Sequence, residues 1–292
     1  AFLLFFLPFN SHLKCMKYFH GKIPLLFRGD STLLNEAGGI KKILRRLWLK
    51  YIYSFVDYAL YVGANNKTYF RAHGMKEREL IFVPHAIDNE RFSGNAAANE
   101  LKAKQWRQDL GIADDELTVV YAGKFDTVKN PSFLLEVAKV CKTPGVRFIL
   151  IGNGPLEADM KQSAIDDRVI FLDFQNQQKM PVVYRLADVF VMSSVSETWG
   201  LGINEALVCG CKIVTNNKVG CATDLVKDED TGIVIERGDV HAAAGYINEQ
   251  IKLKAQGRFV KNIKESLLQT YSFATIVANI SSLLKQLEQG KK

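Results

Sequence analysis

The sequence predicts an α/β protein built on parallel, doubly wound sheets, and three observations carry this prediction. Its 292 residues, 48% of them hydrophobic and 24% charged, are enough for two globular cores. From residue 118 onward, short β-rich runs alternate strictly with segments of helical periodicity or propensity. The β-rich runs are nearly unbroken in their apolar character, which is typical of parallel strands buried on both faces of a sheet.

The elements of this C-terminal part follow from the same pattern. Strands are predicted at 118–123, 147–151, 168–172, 188–192, 212–215 and 232–235. Helices are predicted between them at 131–141, 155–165, 180–187, 203–209 and 222–227. In doubly wound sheets, ligands bind beyond the carboxyl ends of the strands. The loops after residues 123, 151, 172 and 192 are therefore expected to form the functional site.

The first third of the chain is predicted to be a separate unit, with strands at 24–30 and 81–84. Its opening run, AFLLFFLPF (1–9), predicts a buried strand or helix of a truncated domain. A membrane-dipping or targeting segment is the alternative, although the run is too short to span a bilayer and lacks a basic flank. A polar stretch at 93–103 predicts the linker between the units.

These boundaries divide the chain into three predicted parts. Residues 1–95 form a partial N-terminal domain and residues 104–272 form the C-terminal domain. Residues 273–292 are expected to form a helix, which Ser272 can cap, that packs back toward the N-terminal domain.

The basic charge of the chain is concentrated in the first third. Residues 1–95 hold 14 Lys and Arg against 7 Asp and Glu, which accounts for the whole net charge of +7. Within 40–51, apolar residues at 40, 43, 44, 47 and 51 recur at helical spacing with bases between them. This basic amphipathic helix is either a core helix with a solvated face or a surface attracted to anionic lipid. Nucleic acid is not a predicted partner, because no recognised nucleic-acid-binding module accompanies the charge.

The cysteines favour a reducing compartment. There are five of them, without any Cys-x-x-Cys pair, and an odd count in a chain of this length is not typical of a disulfide framework. We therefore predict a cytoplasmic protein, peripheral on the inner face of the plasma membrane if the basic helix binds lipid.

The segment 194–207 follows a strand, opens a helix and carries the first candidate site residues. Gly200 and Gly202 allow close approach of the backbone to a ligand, and the N–H groups of 200–203 are expected to be free at a positive helix end. Glu205 is expected in the first helical turn, where a carboxylate can accept both hydroxyls of a ribose. Glu197 is expected to face the same space and to hold hydroxyls of a second sugar. Taken alone, a helix-dipole-favoured Glu beside ordinary turn glycines explains this stretch equally well.

A second loop, 123–131, carries Lys124 and Lys129 after the preceding strand. Lys is a point-charge phosphate binder, so the two lysines together are able to neutralise a diphosphate leaving group without a metal. Either lysine alone is more simply a surface charge. The turn Gly152-Asn153-Gly154-Pro155 lies on the same predicted sheet edge.

Taken together, these motifs resemble those of the family-four retaining glycosyltransferases. Glu197 and Glu205 match the Glu-x7-Glu motif of that family, and GKFDTVKNP resembles its basic loop. IGNGP resembles a Gly-Asp-Gly-Pro turn with Asn153 in place of Asp, and VPHAIDNERF is similar to a Val-Pro-Asn-Gly-Val-Asp signature. The motifs occur in order over residues 20–285, and the pattern is similar to that of members that assemble bacterial exopolysaccharide or lipopolysaccharide.

The resemblance implies a GT-B fold, in which two Rossmann-like domains carry parallel sheets, here with the N-terminal one incomplete. It implies retaining transfer from a UDP- or GDP-sugar to a polysaccharide or lipid-linked glycan acceptor, with no cofactor and no metal. By position, Glu197 holds the donor sugar. The implied donor-binding residues are Gly123, Lys124, Lys129, Thr198, Trp199, Gly200, Leu201, Gly202 and Glu205.

The acceptor end departs from the family pattern. The strand 24–30 is similar to one that ends in a His near the reacting sugar, but here Asp30 occupies that place, with Arg28 beside it. With Glu197, these two are the candidate catalytic residues. His85 is a turn residue or, alternatively, a substrate contact. Asp228-Glu229-Asp230 is formally an Asp-x-Asp motif, but it lies in a charged turn and is not predicted to bind metal.

About a hundred residues at the start of such enzymes have no counterpart here, so we expect an N-terminally truncated chain whose C-terminal domain still folds. The resemblance does not imply that the truncated chain is active. The alternatives are a non-catalytic fragment that binds a nucleotide sugar, or another GT-B enzyme such as a sugar-nucleotide epimerase. A phosphorylase is disfavoured because no pyridoxal-binding Lys segment is evident.

Overall fold

The computed structural model describes residues 1–5, 10–36, 38–164, 166–263 and 265–290. It divides into two compact units. The first contains the described residues of 1–86 and 269–292, and the second contains those of 87–268.

The first unit is built on a parallel sheet with strand order β1-β2-β3-β4 among the described residues. Its strands are β1 (Phe2–Phe5), β2 (Leu25–Arg28), β3 (Tyr58–Tyr61) and β4 (Leu80–Phe82). The connecting helices are α1 (Asn10–Phe19), α2 (Ile40–Tyr53) and α3 (Ala64–Ala72), and a short 3₁₀ turn at Glu77–Glu79 precedes β4. The core of this unit is aromatic, with Phe27, Tyr53, Tyr69 and Phe70 buried against one another.

The opening run forms a strand, but not the buried one that the sequence predicts. Leu4 is buried, whereas Leu3 and Phe5 are 37% and 50% exposed. The reason is that, among the described residues, β1 pairs only with β2 and lies at the sheet edge. Residues 6–9 of the run lie outside the described residues.

The predicted linker at 93–103 is largely helical. Helix α4 (Asn89–Ser93) is followed directly by α5 (Ala96–Asp109), and Gly94 and Asn95 alone separate them. The linker prediction gave weight to the polar composition, but three consecutive Ala and the Glu-Leu-Lys that follow soon after are strong helix formers.

The second unit contains a parallel sheet with strand order β10-β9-β8-β5-β6-β7 in the described part of the chain. Its strands confirm the six predicted ones to within one residue at either end. They are β5 (Leu117–Ala122), β6 (Val146–Ile151), β7 (Val169–Leu172), β8 (Val189–Met192), β9 (Lys212–Asn216) and β10 (Gly232–Ile235). The intervening helices are α6 (Ser132–Val140), α7 (Glu157–Ser163), α8 (Met180–Leu186), α9 (Leu201–Val208) and α10 (Ala222–Leu225).

The strand order reverses beside β5, which lies between β6 and β8. Connections on the two sides of this point lead away in opposite directions, so the loops after β5 and β8 leave a crevice at the carboxyl edge. Beyond the sheet, α11 (Val240–Ala255) packs on α6, and α12 (Glu265–Thr270) follows.

The last helix, α13 (Phe273–Gln289), belongs to the first unit. The hydroxyl of Ser272, the predicted cap, accepts a hydrogen bond from Thr275 N at 3.1 Å. Leu283 packs against the sheet, and Asn279 Nδ2 donates to Phe82 O at 2.8 Å. Among the described residues, no helix has both the length and the apolar character needed to cross a membrane.

Candidate functional site

A cavity of about 530 Å³ opens at the carboxyl edge of the six-stranded sheet, a size typical of small-molecule sites. All four loops to which the sequence pointed contribute to its lining. They supply Gly123, Lys124 and Lys129 after β5, Asn153 after β6, Phe174, Gln175 and Gln177 after β7, and Ser194 after β8. Helices α8 and α9 close the cavity with Met180, Tyr184, Leu201, Gly202 and Glu205.

The loops after β5 and β6 pack main chain against main chain. Phe125 N donates to Asn153 O at 2.8 Å, and Gly123 N donates to Ile151 O at 3.0 Å. A Cβ on Gly152 would lie 1.9 Å from Gly123 O, and one on Gly154 would lie 2.4 Å from Phe125 O. The two glycines of IGNGP are therefore required by close packing, which fixes the loop that carries Lys124.

The loop after β5 is also bound to the loop after β8. Val195 N donates to Val128 O at 2.8 Å, and the Ser193 hydroxyl donates to Asn130 O at 2.7 Å. These contacts bring Lys129 and Glu197 together, and the ammonium group of Lys129 forms an ion pair with the Glu197 carboxylate. Two residues expected to bind neighbouring parts of one donor therefore contact each other directly and neutralise each other's charge.

The main chain around Glu197 is fixed by the segment after β9. Glu197 N donates to Lys218 O at 3.2 Å, and Gly220 N donates to Glu197 O at 3.0 Å. A Cβ on Gly220 would lie 1.8 Å from Thr198 O, so a glycine is required there. Glu197 keeps 18% of its side chain exposed, which leaves it accessible to a ligand.

The start of α9 corrects two details of the predicted site. Gly200 has a φ of +106° and the helix begins at Leu201, so Glu205 is its fifth residue and lies in the second turn, not the first. Ile203 N donates to Gly200 O at 2.9 Å and is therefore not one of the free N–H groups that we expected. Glu205 gains little from the helix dipole, because that effect is confined to the first turn.

Glu205 is half-buried at the cavity wall and has a specific partner. The Tyr184 hydroxyl donates to Glu205 Oε2 at 2.7 Å. Burial raises the pKa of Glu205, although the hydrogen bond from Tyr184 and the charge of Arg91 oppose the rise. Arg91 also binds the loop after β7, through the main-chain and side-chain oxygens of Gln177.

The predicted donor-binding residues divide into two groups. Those that line the cavity are Gly123, Lys124, Lys129, Leu201, Gly202 and Glu205. Thr198, Trp199 and Gly200 do not line it, and Trp199 is 3% exposed with its indole N–H donated to Asn204 Oδ1 at 2.9 Å. The Trp199 side chain is therefore buried beneath the loop surface, where it stabilises the loop, and it does not face the cavity.

Sequence reasoning missed several lining residues. Phe174, Gln175 and Gln177 follow a strand whose loop was indicated but whose residues were not singled out. Tyr184 is the one hydroxyl-bearing residue of α8, and a buried Tyr generally needs a hydrogen-bond partner. That need was a usable signal, although nothing in the sequence identified Glu205 as the partner.

Arg28 and Asp30 lie in the first unit, at the end of β2. The Arg28 guanidinium donates to Val83 O at 2.6 Å and to Pro84 O at 3.1 Å. Burial lowers the pKa of Arg28, and the charge of Asp30 opposes this. Asp30 Oδ2 lies 3.6 Å from His85 Nε2. Arg28 thus holds the main chain after β4, while Asp30 and His85 adjoin at the same carboxyl edge.

Two further motifs have structural roles in the second unit. Asp228 Oδ1 accepts a hydrogen bond from Thr231 N at 3.0 Å and closes the acidic turn. In the part of the chain that the structure describes, no three His, Cys, Asp or Glu side chains are grouped to hold a metal ion. Cys209, Cys211 and Cys221 are buried thiols, and burial raises the pKa of Cys209 to about 12.

A parallel sheet whose order reverses at β5, with basic and acidic residues in a cavity at its carboxyl edge, defines the class of doubly wound α/β proteins with a ligand site at the strand ends. Residues 102–266, more than half of the chain, match the family described as Glycosyl transferases group 1. The chain belongs to that family, as the order of its motifs predicted.

Individual relatives agree with this assignment. Over 161 residues the chain is 32% identical to a D-inositol 3-phosphate glycosyltransferase of Mycobacteroides abscessus, covering 52% of this chain and 35% of the relative. Over 217 residues it is 27% identical to an Escherichia coli UDP-Gal:alpha-D-GlcNAc-diphosphoundecaprenol alpha-1,3-galactosyltransferase, covering 70% of this chain and 54% of the relative. The chain thus spans roughly a third to a half of the length of these curated relatives.

Solved structures show the same fold. Anabaena HepE in complex with UDP aligns with a TM-score of 0.78 at 20% identity, covering 98% of this chain and 79% of HepE. WaaG, a glycosyltransferase involved in lipopolysaccharide biosynthesis, aligns with a TM-score of 0.61 at 14% identity, covering 95% of this chain and 80% of WaaG. These likenesses confirm the predicted GT-B fold with its parallel sheets.

Proposed function

We propose that this chain binds a UDP- or GDP-sugar and belongs to a retaining glycosyltransferase that extends a polysaccharide or lipid-linked glycan. The observation that carries the proposal is the cavity at the carboxyl edge, where Lys124, Lys129 and Glu205 converge and Glu197 is paired to Lys129. A cation pair and a separate carboxylate suit a diphosphate joined to a ribose.

Each side chain has a role in this proposal. Lys124 is exposed and Lys129 half-exposed, so both can turn to the diphosphate oxygens. Glu205 accepts the ribose hydroxyls, and Glu197 accepts hydroxyls of the donor sugar. Stabilisation of the departing diphosphate by the lysines is then the main catalytic term, which requires neither a metal nor another cofactor.

Attack from the same face as the leaving group would retain the anomeric configuration, with the departing phosphate oxygen taking the acceptor proton. Asp30, with Arg28 beside it, remains our candidate for the polar group of the first unit that acts near the reacting sugar.

The names of relatives support a uridine nucleotide as part of the donor. The Escherichia coli enzyme is named for UDP-Gal, and HepE was solved with UDP.

A test of this proposal is titration of the chain with UDP and with GDP, followed by the same titration of Glu205→Ala. Loss of a charge-assisted contact of about 1.5–3 kcal/mol should weaken binding by about 10- to 150-fold. The free energy of unfolding should fall by about 1–3 kcal/mol, because the buried Tyr184 hydroxyl loses its acceptor. Unchanged affinity would favour a purely structural Glu205. A chain that binds nucleotide sugar but transfers nothing would be the non-catalytic alternative, and one that converts the sugar without any acceptor would be an epimerase.

We further propose that α2 binds an anionic membrane surface and places the protein on the cytoplasmic face of the membrane. The helix packs on its sheet through Leu49, Ile52 and Tyr53. The apolar residues on its opposite side are each 44% to 76% exposed. They are Ile40, Ile43, Leu44, Leu47, Trp48 and Tyr51.

The bases of α2 have two different roles. Lys42 and Arg46 pair with the buried carboxylate of Glu36, at 3.0 and 2.8 Å, and belong to the fold. Lys41, Arg45 and Lys50 are exposed beside the apolar side. An apolar helix side flanked by basic residues is typical of helices that lie on an anionic membrane surface. The apolar side chains enter the edge of the hydrocarbon layer, and the basic residues contact the anionic head groups.

Reversal of Lys41 and Arg45 to Glu should therefore reduce sedimentation with phosphatidylglycerol-containing vesicles at least tenfold, since each interfacial base contributes about 1 kcal/mol. Lys42 and Arg46 are left intact to preserve the fold. The matched control is Lys102→Glu with Lys139→Glu, two exposed bases on α5 and α6 whose reversal changes the net charge by the same amount. Equal sedimentation of both variants, or none for the wild type, would rule out the membrane proposal.

A further inference from the structure

Tyr184 is placed in an unusual way for a core residue. It is 2% exposed, yet its hydroxyl reaches the cavity wall and donates to Glu205 Oε2 at 2.7 Å. Within the described residues, this is the one hydrogen bond that the Glu205 carboxylate receives from the protein. One oxygen of the carboxylate is thus held by the protein, while the other retains its capacity to accept from a ligand.

The tyrosine ring is fixed on several sides. Phe190 meets it edge-on at 5.2 Å between ring centroids, and Phe92 packs at 6.0 Å. The Cys211 thiol donates to Tyr184 O at 2.9 Å, which anchors the main chain of α8. A ring held in this way has few rotamers, so its hydroxyl has a defined position.

Gly202 makes room for this contact. It is three residues before Glu205 on α9 and therefore lies on the same helix face. A Cβ at this position would lie 3.3 Å from the Tyr184 hydroxyl and 3.1 Å from Met192 Cε. A side chain would crowd the hydroxyl that reaches Glu205, so Gly202, Tyr184 and Glu205 form one packed group.

We propose that Tyr184 is a positioning residue for nucleotide recognition, whose hydroxyl orients the Glu205 carboxylate to accept the ribose diol of the donor. This inference rests on the proposed function, in which Glu205 binds ribose. A Glu side chain loses about 1.5–2 kcal/mol of rotamer entropy when it is fixed. Where the fold has already fixed it, less of that cost falls on ligand binding.

The test compares UDP with 2′,3′-dideoxy-UDP, which keeps the base and the diphosphate but lacks the diol. Tyr184→Phe should weaken UDP binding about tenfold and change dideoxy-UDP binding less than twofold. In a Glu205→Ala background, Tyr184→Phe should have no further effect on UDP, because the two residues act through one contact. A loss of equal size for both ligands, or additive losses in the double variant, would overturn the positioning role.

Two further variants sharpen the result. Tyr246→Phe is the matched control, because this buried tyrosine donates to Glu229 O at 3.4 Å, away from the cavity, and should leave both affinities unchanged. Gly202→Ala leaves Glu205 unchanged but places a Cβ 3.3 Å from the Tyr184 hydroxyl, which crowds its contact with Glu205, and it replaces Tyr184→Phe should that variant unfold. It should lower the preference for UDP over dideoxy-UDP, and an unchanged preference counts against the inference. Failure of the wild type to bind either UDP or GDP would refute the proposed function, whereas nucleotide binding that is insensitive to Tyr184 refutes only this inference.

Discussion

Replacement of Asp188 by Ala is expected to lower the free energy of unfolding by about 3–5 kcal/mol, the typical cost of breaking a buried ion pair. Asp188 is 3% exposed and lies immediately before β8. Its Oδ2 atom accepts from Lys254 Nζ at 2.7 Å, Thr118 N at 2.9 Å and Arg107 Nη1 at 3.2 Å. Lys261 Nζ lies 3.8 Å from Oδ1, so removal of one carboxylate leaves three clustered cations without their counter-charge.

Urea unfolding at neutral pH, followed by tryptophan fluorescence, measures this loss. The matched control is Glu157→Ala, which breaks the exposed pair with Lys161 at 2.8 Å and should change the stability little, because exposed ion pairs contribute little. An Asp188 effect as small as that of the control would show that the buried cluster does not stabilise the second unit.

The Asp188 contribution should also depend on pH. Burial by itself raises the pKa of Asp188, but Lys261, Lys254 and Arg107 outweigh burial and lower it. A carboxylate with a lowered pKa in the folded state stabilises the protein above its unfolded pKa of about 3.9. The difference between wild type and variant should therefore be complete near neutrality and shrink as the pH falls through the lowered value.

Lys129→Ala is expected to weaken UDP binding by about 10- to 150-fold, because it removes charge-assisted contacts worth about 1.5–3 kcal/mol to the diphosphate. Its side chain is 40% exposed, so the melting temperature should change little. Lys139→Ala, at an exposed position of α6, is the matched control and should leave the affinity unchanged.

The pairing of Lys129 with Glu197 predicts an asymmetry between the two residues. Glu197 competes with the diphosphate for the Lys129 ammonium, so Glu197→Gln should leave UDP affinity unchanged or raise it. The same variant should weaken a UDP-sugar relative to UDP, because it alters the group proposed to hold the sugar. Calorimetric titration with both ligands measures the difference, and equal weakening of UDP by Lys129→Ala and Glu197→Gln would contradict these separate roles.

The sequence predicted the sheet of the second unit well because its signal is local. An unbroken apolar run identifies a strand buried on both faces, and 118–123 corresponds to β5 within one residue. The edge position of β1 and the exposed side of α2 were not predictable in this way. Periodicity shows that α2 has an apolar stripe, but the helix packs through Leu49, Ile52 and Tyr53 on its other side. Lys42 and Arg46 bind Glu36 in addition, and the spacing reveals neither contact.

For the site, the sequence located the loops but not the contacts between them. Lys129 and Glu197 are 68 residues apart, and their pairing depends on the main-chain bond from Val195 to Val128. Glu205 was assigned to the first turn because the helix was predicted to begin at residue 203. The helix begins instead at Leu201, directly after Gly200. Tyr184 lies in a helix of apolar appearance, and its role depends on a partner 21 residues later.

The most direct test of a donor site is isothermal titration of the folded wild-type chain with UDP, GDP and ADP. Saturable binding of UDP or GDP, weakened about 10- to 150-fold in Lys129→Ala and Glu205→Ala but retained in Lys139→Ala, is the expected result. A folded chain that binds none of the three nucleotides would contradict the assignment of the cavity between Lys124, Lys129 and Glu205 as the donor site.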